Sequence, residues 1–325
     1  MQNIGDISVG IAVYNEENNI LKCLKDLEKQ LKSFNFMIYV CLNGCSDHSL
    51  DKIIEYKRER PLVPINILES ERGKVLAQNK IVEEIKKDKR EHLPLLFVDA
   101  DVVFEKGCIA NLYKELFRVN ELKLVGAITK PCTSEKKRIW FYILNIRNFY
   151  PKSEITRCNV SDYKCYVEKF PQPLIDADTE RKSRIFVHGR CFMLKTADLY
   201  EIPPDSNLAD DTYLTGSIHY RFGLGTVRVI YSSVVYYEAY NDLYTHFKTY
   251  WRIYNDKKYV DKNFPQLQYH RSKEPTMLDN EYIKSLPLIV RLQFFLYKAV
   301  TATEKFIYKI LPQKPISEIW KYDSK

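Results

Sequence analysis

Phe97-Val98-Asp99-Ala100-Asp101-Val102-Val103 closes an apolar run that begins at Leu93. The residues LPLLFV at 93–98 have the length and bulk of a strand buried on both faces of a parallel sheet. Two aspartates then stand where the strand should end. Buried carboxylates are costly unless they are paired, hydrogen-bonded or bound to metal. Asp99 and Asp101 therefore either turn and cap the chain, for which Asp is well suited, or serve a ligand. These seven residues leave both readings open.

The flanking sequence extends the pattern outward. Apolar runs at 7–13, 36–42 and 65–68 read as strands. Between them Ile20, Leu21, Leu24, Leu27 and Leu31 recur at helical spacing, and further helices are predicted over 49–58 and 75–87. Four strands separated by helices imply right-handed crossovers and a parallel sheet. In such sheets ligands sit at the carboxyl ends of the strands. The polar loops at 14–19, 43–47, 69–74 and 99–101 all follow strands, so they should gather on one edge.

Beyond Lys130-Pro131 the alternation loosens. The stretch WFYILNIRNFYP at 140–151 is rich in aromatics, and residues through 182 read as an inserted or variable segment. Order returns with a strand pair or bend over 185–194 around Gly189, the acidic pair Asp210-Asp211, a helix over 212–221 and a strand over 226–231.

Composition bounds the function. The chain has 325 residues, 45% hydrophobic and 28% charged, which is that of an ordinary globular protein with room for a sizeable core. Its formal charge of +8 suits phosphate-bearing ligands or an anionic membrane surface. No basic arm or RNA-binding motif speaks for nucleic acid. The eight cysteines are scattered with no CxxC pair, as expected for free thiols in a reducing cytosol. The first residues lack the pattern of a signal peptide, so the Asn159-Val160-Ser161 sequon carries no weight. No apolar stretch has the length of a membrane span. The nearest, 286–300 with FIYKIL after it, reads as an amphipathic helix or pair that packs on the domain or lies in a bilayer interface.

Six blocks in order resemble the family 2 inverting glycosyltransferases of GT-A architecture. They are VGIAVYNEENNILKCL at 9–24, VCLNGCSDHSLDKI at 40–53, RGKVLAQN at 72–79, FVDADVVF at 97–104, VHGRCFML at 187–194 and LADDTYLT at 208–215. Each is weak alone, but their order and spacing over about residues 6–256 are specific. The resemblance implies an α/β GT-A domain over 1–256, with a nucleotide-sugar-binding half at 1–125 and an acceptor-binding half at 126–256. A helical C-terminal extension would occupy 257–325.

It also implies a chemistry. A nucleotide-sugar donor leaves as a diphosphate, and a divalent cation such as Mn2+ or Mg2+ on carboxylates neutralises the charge that grows there. By resemblance Asp101 is the direct metal ligand and Asp99 a ribose or water-mediated contact. Val13, Tyr14 and Glu16 flank the nucleoside. Asn43 departs from the family, which often has an aspartate contacting the base there; its amide can donate and accept, which is compatible with uracil but does not fix the base. The resemblance as a whole favours a UDP-sugar. Arg72 and Lys74, beside Gly73, contact phosphate or sugar. Inversion needs a base on a segment apart from the metal-binding pair. The family's usual order makes Asp211 that base and Asp210 an orienting partner. His188, Gly189, Arg190 and Trp251 fall to the acceptor side. Asp47 either contacts the donor or caps the following helix.

One departure is informative. Chain-polymerising members carry QxxRW, whereas here Phe247 and Tyr250 precede Trp251. Transfer of a single sugar is therefore expected over processive synthesis, to a saccharide, lipid-linked or small-molecule acceptor. The expected location is cytoplasmic, with peripheral membrane contact through the C-terminal helices as a further expectation. A sugar-nucleotide pyrophosphorylase and an inactive nucleotide-sugar-binding module are the competing readings. The first would place a glycine-rich basic loop after the first strand, where this chain has VYNEENNI.

Overall fold

The computed structural model describes residues 4–133, 136–156, 186–205, 208–223, 225–267 and 276–311. Its contacts divide the chain into two units, Met1–Thr129 with Phe186–Tyr237, and Lys130–Ile185 with Glu238–Lys325.

The first unit carries the expected alternation: β1 (Gly5–Val13), α1 (Ile20–Leu31), β2 (Phe34–Asn43), α2 (Ser49–Glu59), β3 (Ile65–Ser70), α3 (Lys74–Lys87) and β4 (Leu95–Asp99). After β4 come β5 (Val103–Phe104), α4 (Cys108–Arg118) and β6 (Leu124–Cys132). The second unit begins with α5 (Ile139–Leu144), α6 (Ile146–Phe149) and β7 (Glu154–Thr156). The chain returns to the first unit for β8 (Cys191–Leu194), α7 (Asp210–Phe222) and β9 (Val227–Glu238). It ends in the second with α8 (Leu243–Asn263), β10 (Thr276–Leu278), α9 (Asn280–Ser285) and α10 (Leu288–Ile310).

The main sheet has eight strands in the order β3-β2-β1-β4-β8-β6-β9-β5. β1 pairs in parallel with β2 and β4, and β2 with β3. β8 runs antiparallel to β4 and β6, and β5 antiparallel to β9. The chain steps from β1 to β3 in one direction and then jumps back past β1 to β4. Right-handed crossovers thus put α1 and α2 on one face and α3 on the other. The crevice between β1 and β4 is where such a sheet accepts a ligand.

β1 and β4 are apolar because they are covered on both sides. Ile7, Val9, Ile11 and Val13 of β1 are buried, as are Leu95, Leu96, Phe97 and Val98 of β4. At about 1.5–3 kcal/mol per buried side chain, β4 is firmly anchored, and so is the carboxylate at its end.

Several details differ from the sequence expectation. Val103-Phe104 forms a short strand, because its backbone finds β9 immediately after the acidic turn. Of the predicted 185–194 strand pair only β8 is extended; Phe186–Arg190 is irregular around Gly189. α7 begins two residues early and takes Asp210 and Asp211 into its first turn, where the helix dipole favours acids. The C-terminal apolar stretch is one helix, started by Pro287. The variable segment and the sequon at Asn159 lie outside the described residues beyond Thr156.

The second unit has its own core. Ile143, Ile146, Ile283, Val290, Phe294 and Tyr297 pack together. Tyr308 of α10 stacks on Tyr250 and Tyr254 of α8, with centroids at 5.6 and 5.4 Å, and packs on Phe247 at 5.2 Å. Its hydroxyl donates to the Phe247 carbonyl at 2.7 Å, and His246 meets Glu304 at 2.8 Å between the same helices.

Candidate active site

The loops after β1 and β2 are fastened to each other. Asn15 takes a left-handed backbone, φ 54°, which Asn tolerates, and its Oδ1 accepts the Ser46 N–H at 2.8 Å. Glu16 N–H donates to Ser49 Oγ at 2.8 Å and Glu17 N–H to Asp47 Oδ2 at 3.0 Å. Asp47 also accepts the Ser49 N–H at 3.1 Å, at the start of α2. Burial opposes its charge, yet the hydrogen bonds from Ser49 and Glu17 hold its carboxyl below the usual range. Asp47 is thus a clamp between the two loops. Gly44, at φ 73°, makes the turn that leaves room for Arg72 beside it.

The donor-side candidates lie along this edge. Val13 is buried at the end of β1 and Asn43 at the end of β2. The Arg72 guanidinium lies 4.6 Å from the centroid of the half-buried Tyr14 ring, a cation–π contact. Glu16 is pushed up to about 7, first by burial and further by Asp101, Asp99 and Asp47, against a lowering hydrogen bond from Asn19.

Asp99 ends β4, in register with Ala12 of β1, and its N–H donates to the Arg190 carbonyl at 2.9 Å. Asp101 sits in the turn that follows. Burial and the Asp99 charge raise the Asp101 carboxyl, while Arg190 and Lys74 draw it down. Glu16, Asp99 and Asp101 therefore repel one another across one small region.

Lys74, the first residue of α3, joins the two acidic pairs. Its Nζ lies 2.7 Å from Asp99 Oδ1 and 2.9 Å from Asp210 Oδ2, and donates to the Gly189 carbonyl at 3.0 Å. Burial works against its charge, but Asp210 and Asp99 outweigh that and keep it protonated. A lysine expected to reach phosphate or sugar is thus already engaged by carboxylates. Gln78, one turn along α3, donates to Asp210 Oδ2 at 2.8 Å, and its Oε1 accepts the Tyr200 hydroxyl at 2.9 Å. Asp210, Gln78 and Tyr200 are all buried. Sequence reasoning missed Gln78 and Tyr200. The i, i+4 spacing from Lys74 puts Gln78 on the same helix face and could have found it; nothing local marks Tyr200.

Asp211 is held differently. Its Oδ2 accepts the Gly189 N–H at 3.1 Å and its Oδ1 the Thr212 N–H at 2.7 Å. Burial and the neighbouring Asp210 raise its carboxyl, and Lys74 pulls it back. His188 Nδ1 is 3.9 Å from Asp211 Oδ2. The Arg190 guanidinium covers the Tyr237 ring at 3.7 Å and lies 3.2 Å from His188 Nε2. Gly189 is small by necessity: a Cβ there would meet Asp210 Oδ1 at 2.9 Å and Lys74 Nζ at 3.1 Å. Trp251, the remaining candidate, lies in α8 of the second unit and is half-buried.

No group of three or more His, Cys, Asp or Glu among the described residues is close enough to form a ready metal cage. The donor set still suits a hard divalent cation. Asp99 and Asp101 offer carboxylate oxygens spaced one residue apart, and the mutual repulsion that lifts Asp101 and Glu16 is what a cation would relieve.

A half-parallel sheet of this order, with an acidic pair ending its fourth strand, is the architecture of a GT-A glycosyltransferase. The chain belongs to glycosyl transferase family 2, whose family model matches residues 8–198. Family membership displaces the pyrophosphorylase reading. A search of curated proteins returns no match. Among solved structures, the mannosyltransferase PcManGT from Pyrobaculum calidifontis, in complex with GDP-Man and Mn2+, is similar at TM-score 0.54 and 14% identity, over 97% of this chain and 78% of that one. S. aureus TarS 1-349 is similar at TM-score 0.47 and 15% identity, over 92% and 80%. Glucosyl-3-phosphoglycerate synthase from Mycobacterium tuberculosis, with Mn2+, UDP and glucosyl-3-phosphoglycerate, gives TM-score 0.45 and 13% identity, over 76% and 78%. At these identities the first likeness speaks for the fold.

The crowding at Gly189 yields a first prediction. Gly189→Ala should push the Lys74–Asp210 pair aside and, where that pair lies at the reacting centre, lower transfer by roughly ten- to a hundredfold. Its melting temperature should fall little, because the displaced atoms are side-chain ends. Equal loss of activity and folding would mean that Gly189 serves the fold alone.

Proposed function

We propose that the protein is an inverting, divalent-metal-dependent transferase that moves one sugar from a nucleoside-diphosphate sugar, with UDP favoured, to an acceptor hydroxyl. The observation that carries this reading is the Lys74 bridge, which fastens the Asp99 end of β4 to the Asp210 start of α7. It holds two acidic pairs from different elements close together, which supports one pair serving the diphosphate and the other the acceptor.

In this reading Asp101 holds Mn2+ or Mg2+, with Asp99 assisting, and a metal there neutralises charge on the departing diphosphate. Val13, Tyr14, Glu16 and Asn43 bind the nucleoside, and Arg72 the phosphates. Lys74 keeps Asp99 and Asp210 in place. Asp211 takes the proton of the acceptor hydroxyl, and the upward push on its carboxyl makes it a better base than an ordinary aspartate. Asp210, fixed by Lys74 and Gln78, orients the sugar. His188, Gly189 and Arg190 form the acceptor side.

Transfer without processive elongation is supported by α8. Phe247 and Tyr250, at the positions of the glutamine and arginine in QxxRW, are packed against Tyr308. The donor-binding role falls to 1–125 and the acceptor-binding role to 126–256, followed by the helical extension. The same reading places the protein in the cytoplasm, in peripheral contact with the membrane through its C-terminal helices. No described helix is long and apolar enough to cross one.

The test is a panel of UDP- and GDP-sugars, with Mn2+ or with a chelator, read by nucleotide release and thermal protection. A UDP-sugar at a hundredfold excess over its Kd should add about 2.7 kcal/mol of stability, only with metal present. Protection by GDP-sugars alone would overturn the choice of nucleotide. No metal-dependent response to any donor would sink the reading.

A further inference from the structure

α10 has two apolar faces, and the fold uses one. With 3.6 residues per turn, Val290, Phe294, Tyr297 and Tyr308 share the side that is buried in the second unit. Leu288, Leu292, Phe295, Phe306 and Ile310 fall within an arc of about 60° on the opposite side. They are 67%, 50%, 68%, 66% and 69% exposed. An exposed apolar stripe, with bulky side chains at both ends and Ala299 and Ala302 exposed between them, marks an interaction surface.

The charges say what covers it. Arg291, Lys298, Lys305 and Lys309 are exposed along one flank of the stripe. The only acidic residue of the helix, Glu304, is buried on the opposite face against His246. A row of cations beside an apolar stripe, with no exposed acid on the helix, complements an anionic bilayer. The apolar side chains enter the acyl boundary, and the long basic ones reach the headgroups. A protein partner would need a matching acidic border, which a second copy of this helix does not offer.

We infer that α10 is an in-plane membrane anchor, seated on anionic lipid by the Leu288–Ile310 stripe and its basic flank. This gives the peripheral contact a specific face and a specific lipid charge. It is independent of the donor and base assignments, since neither acidic pair takes part.

The test uses the full chain with vesicles of phosphatidylcholine alone or mixed with phosphatidylglycerol, read by co-sedimentation. The wild type should pellet with the mixed vesicles, weakly with the neutral ones, and less as salt is raised. Leu292→Glu/Phe295→Glu should lower the partition coefficient by roughly tenfold or more. Lys298→Glu/Lys305→Glu should abolish the preference for phosphatidylglycerol. Both pairs of changes lie at exposed positions, so thermal melting and metal-dependent nucleotide release in solution should stay at wild-type levels. Equal pelleting of wild type and both variants would overturn the proposal. So would a wild type that ignores vesicles but migrates as a dimer that Leu292→Glu/Phe295→Glu dissolves, since the stripe would then be a protein interface.

Discussion

Asp211→Asn should lower sugar transfer by about 10²–10⁴-fold, the usual worth of a positioned general base, while the donor still binds. The substitution keeps the shape of the side chain and removes its basicity. It also leaves the Lys74–Asp99–Asp210 bridge intact, because Asp211 bonds to Gly189 and Thr212 instead. Metal-dependent thermal protection by the donor and slow donor hydrolysis should therefore persist, separating loss of base from loss of site. The pH dependence supplies an independent check. Burial and Asp210 raise the Asp211 carboxyl, so the acid limb of kcat/KM, which reports the free enzyme, should lie above the range of an ordinary aspartate. Activity rises with pH as Asp211 ionises, and residual activity of the variant should lack that limb. Transfer at wild-type rates, or a variant retaining the same acid limb, would move the base elsewhere.

Much of the fold was written in local patterns. β1 to β4 are apolar runs divided by helices, and the order of strand and helix with right-handed crossovers was enough to place the four loops on one edge. What the sequence hid are pairings between distant segments. β5 is two residues long and exists because β9 lies beside it; no window of sequence contains that fact. Lys74 was legible as a cation near the site but not as the link between Asp99 and Asp210, since its partners are 25 and 136 residues away. Tyr200 was hidden for the same reason. The second face of α10 was ambiguous because an apolar residue reads the same whether it is packed on the domain or exposed.

Asp101→Asn should abolish metal-dependent donor binding and lower transfer by roughly 10²–10⁴-fold, several kcal/mol of lost charge stabilisation. Asp99→Asn should do less to the metal requirement. The two aspartates are only one residue apart, but their surroundings divide the labour. Asp99 already has the Lys74 ammonium at 2.7 Å. Asp101 sits in a field made negative by Asp99 and softened by Arg190 and Lys74, so it gains most from an added cation. The discriminating measurement is the Mn2+ concentration for half-maximal donor protection in the wild type and each variant. Asp101→Asn should raise it beyond reach. Asp99→Asn should shift it modestly and reduce transfer chiefly by releasing Lys74 from one of its two carboxylates. Glu16 reports on the same field: with Asp101 neutral, a charge that helps lift it to about 7 is gone, and its carboxyl should titrate lower. A larger metal defect in Asp99→Asn than in Asp101→Asn would exchange the two roles, making the strand-end residue the direct ligand and Lys74 a placeholder that the metal displaces.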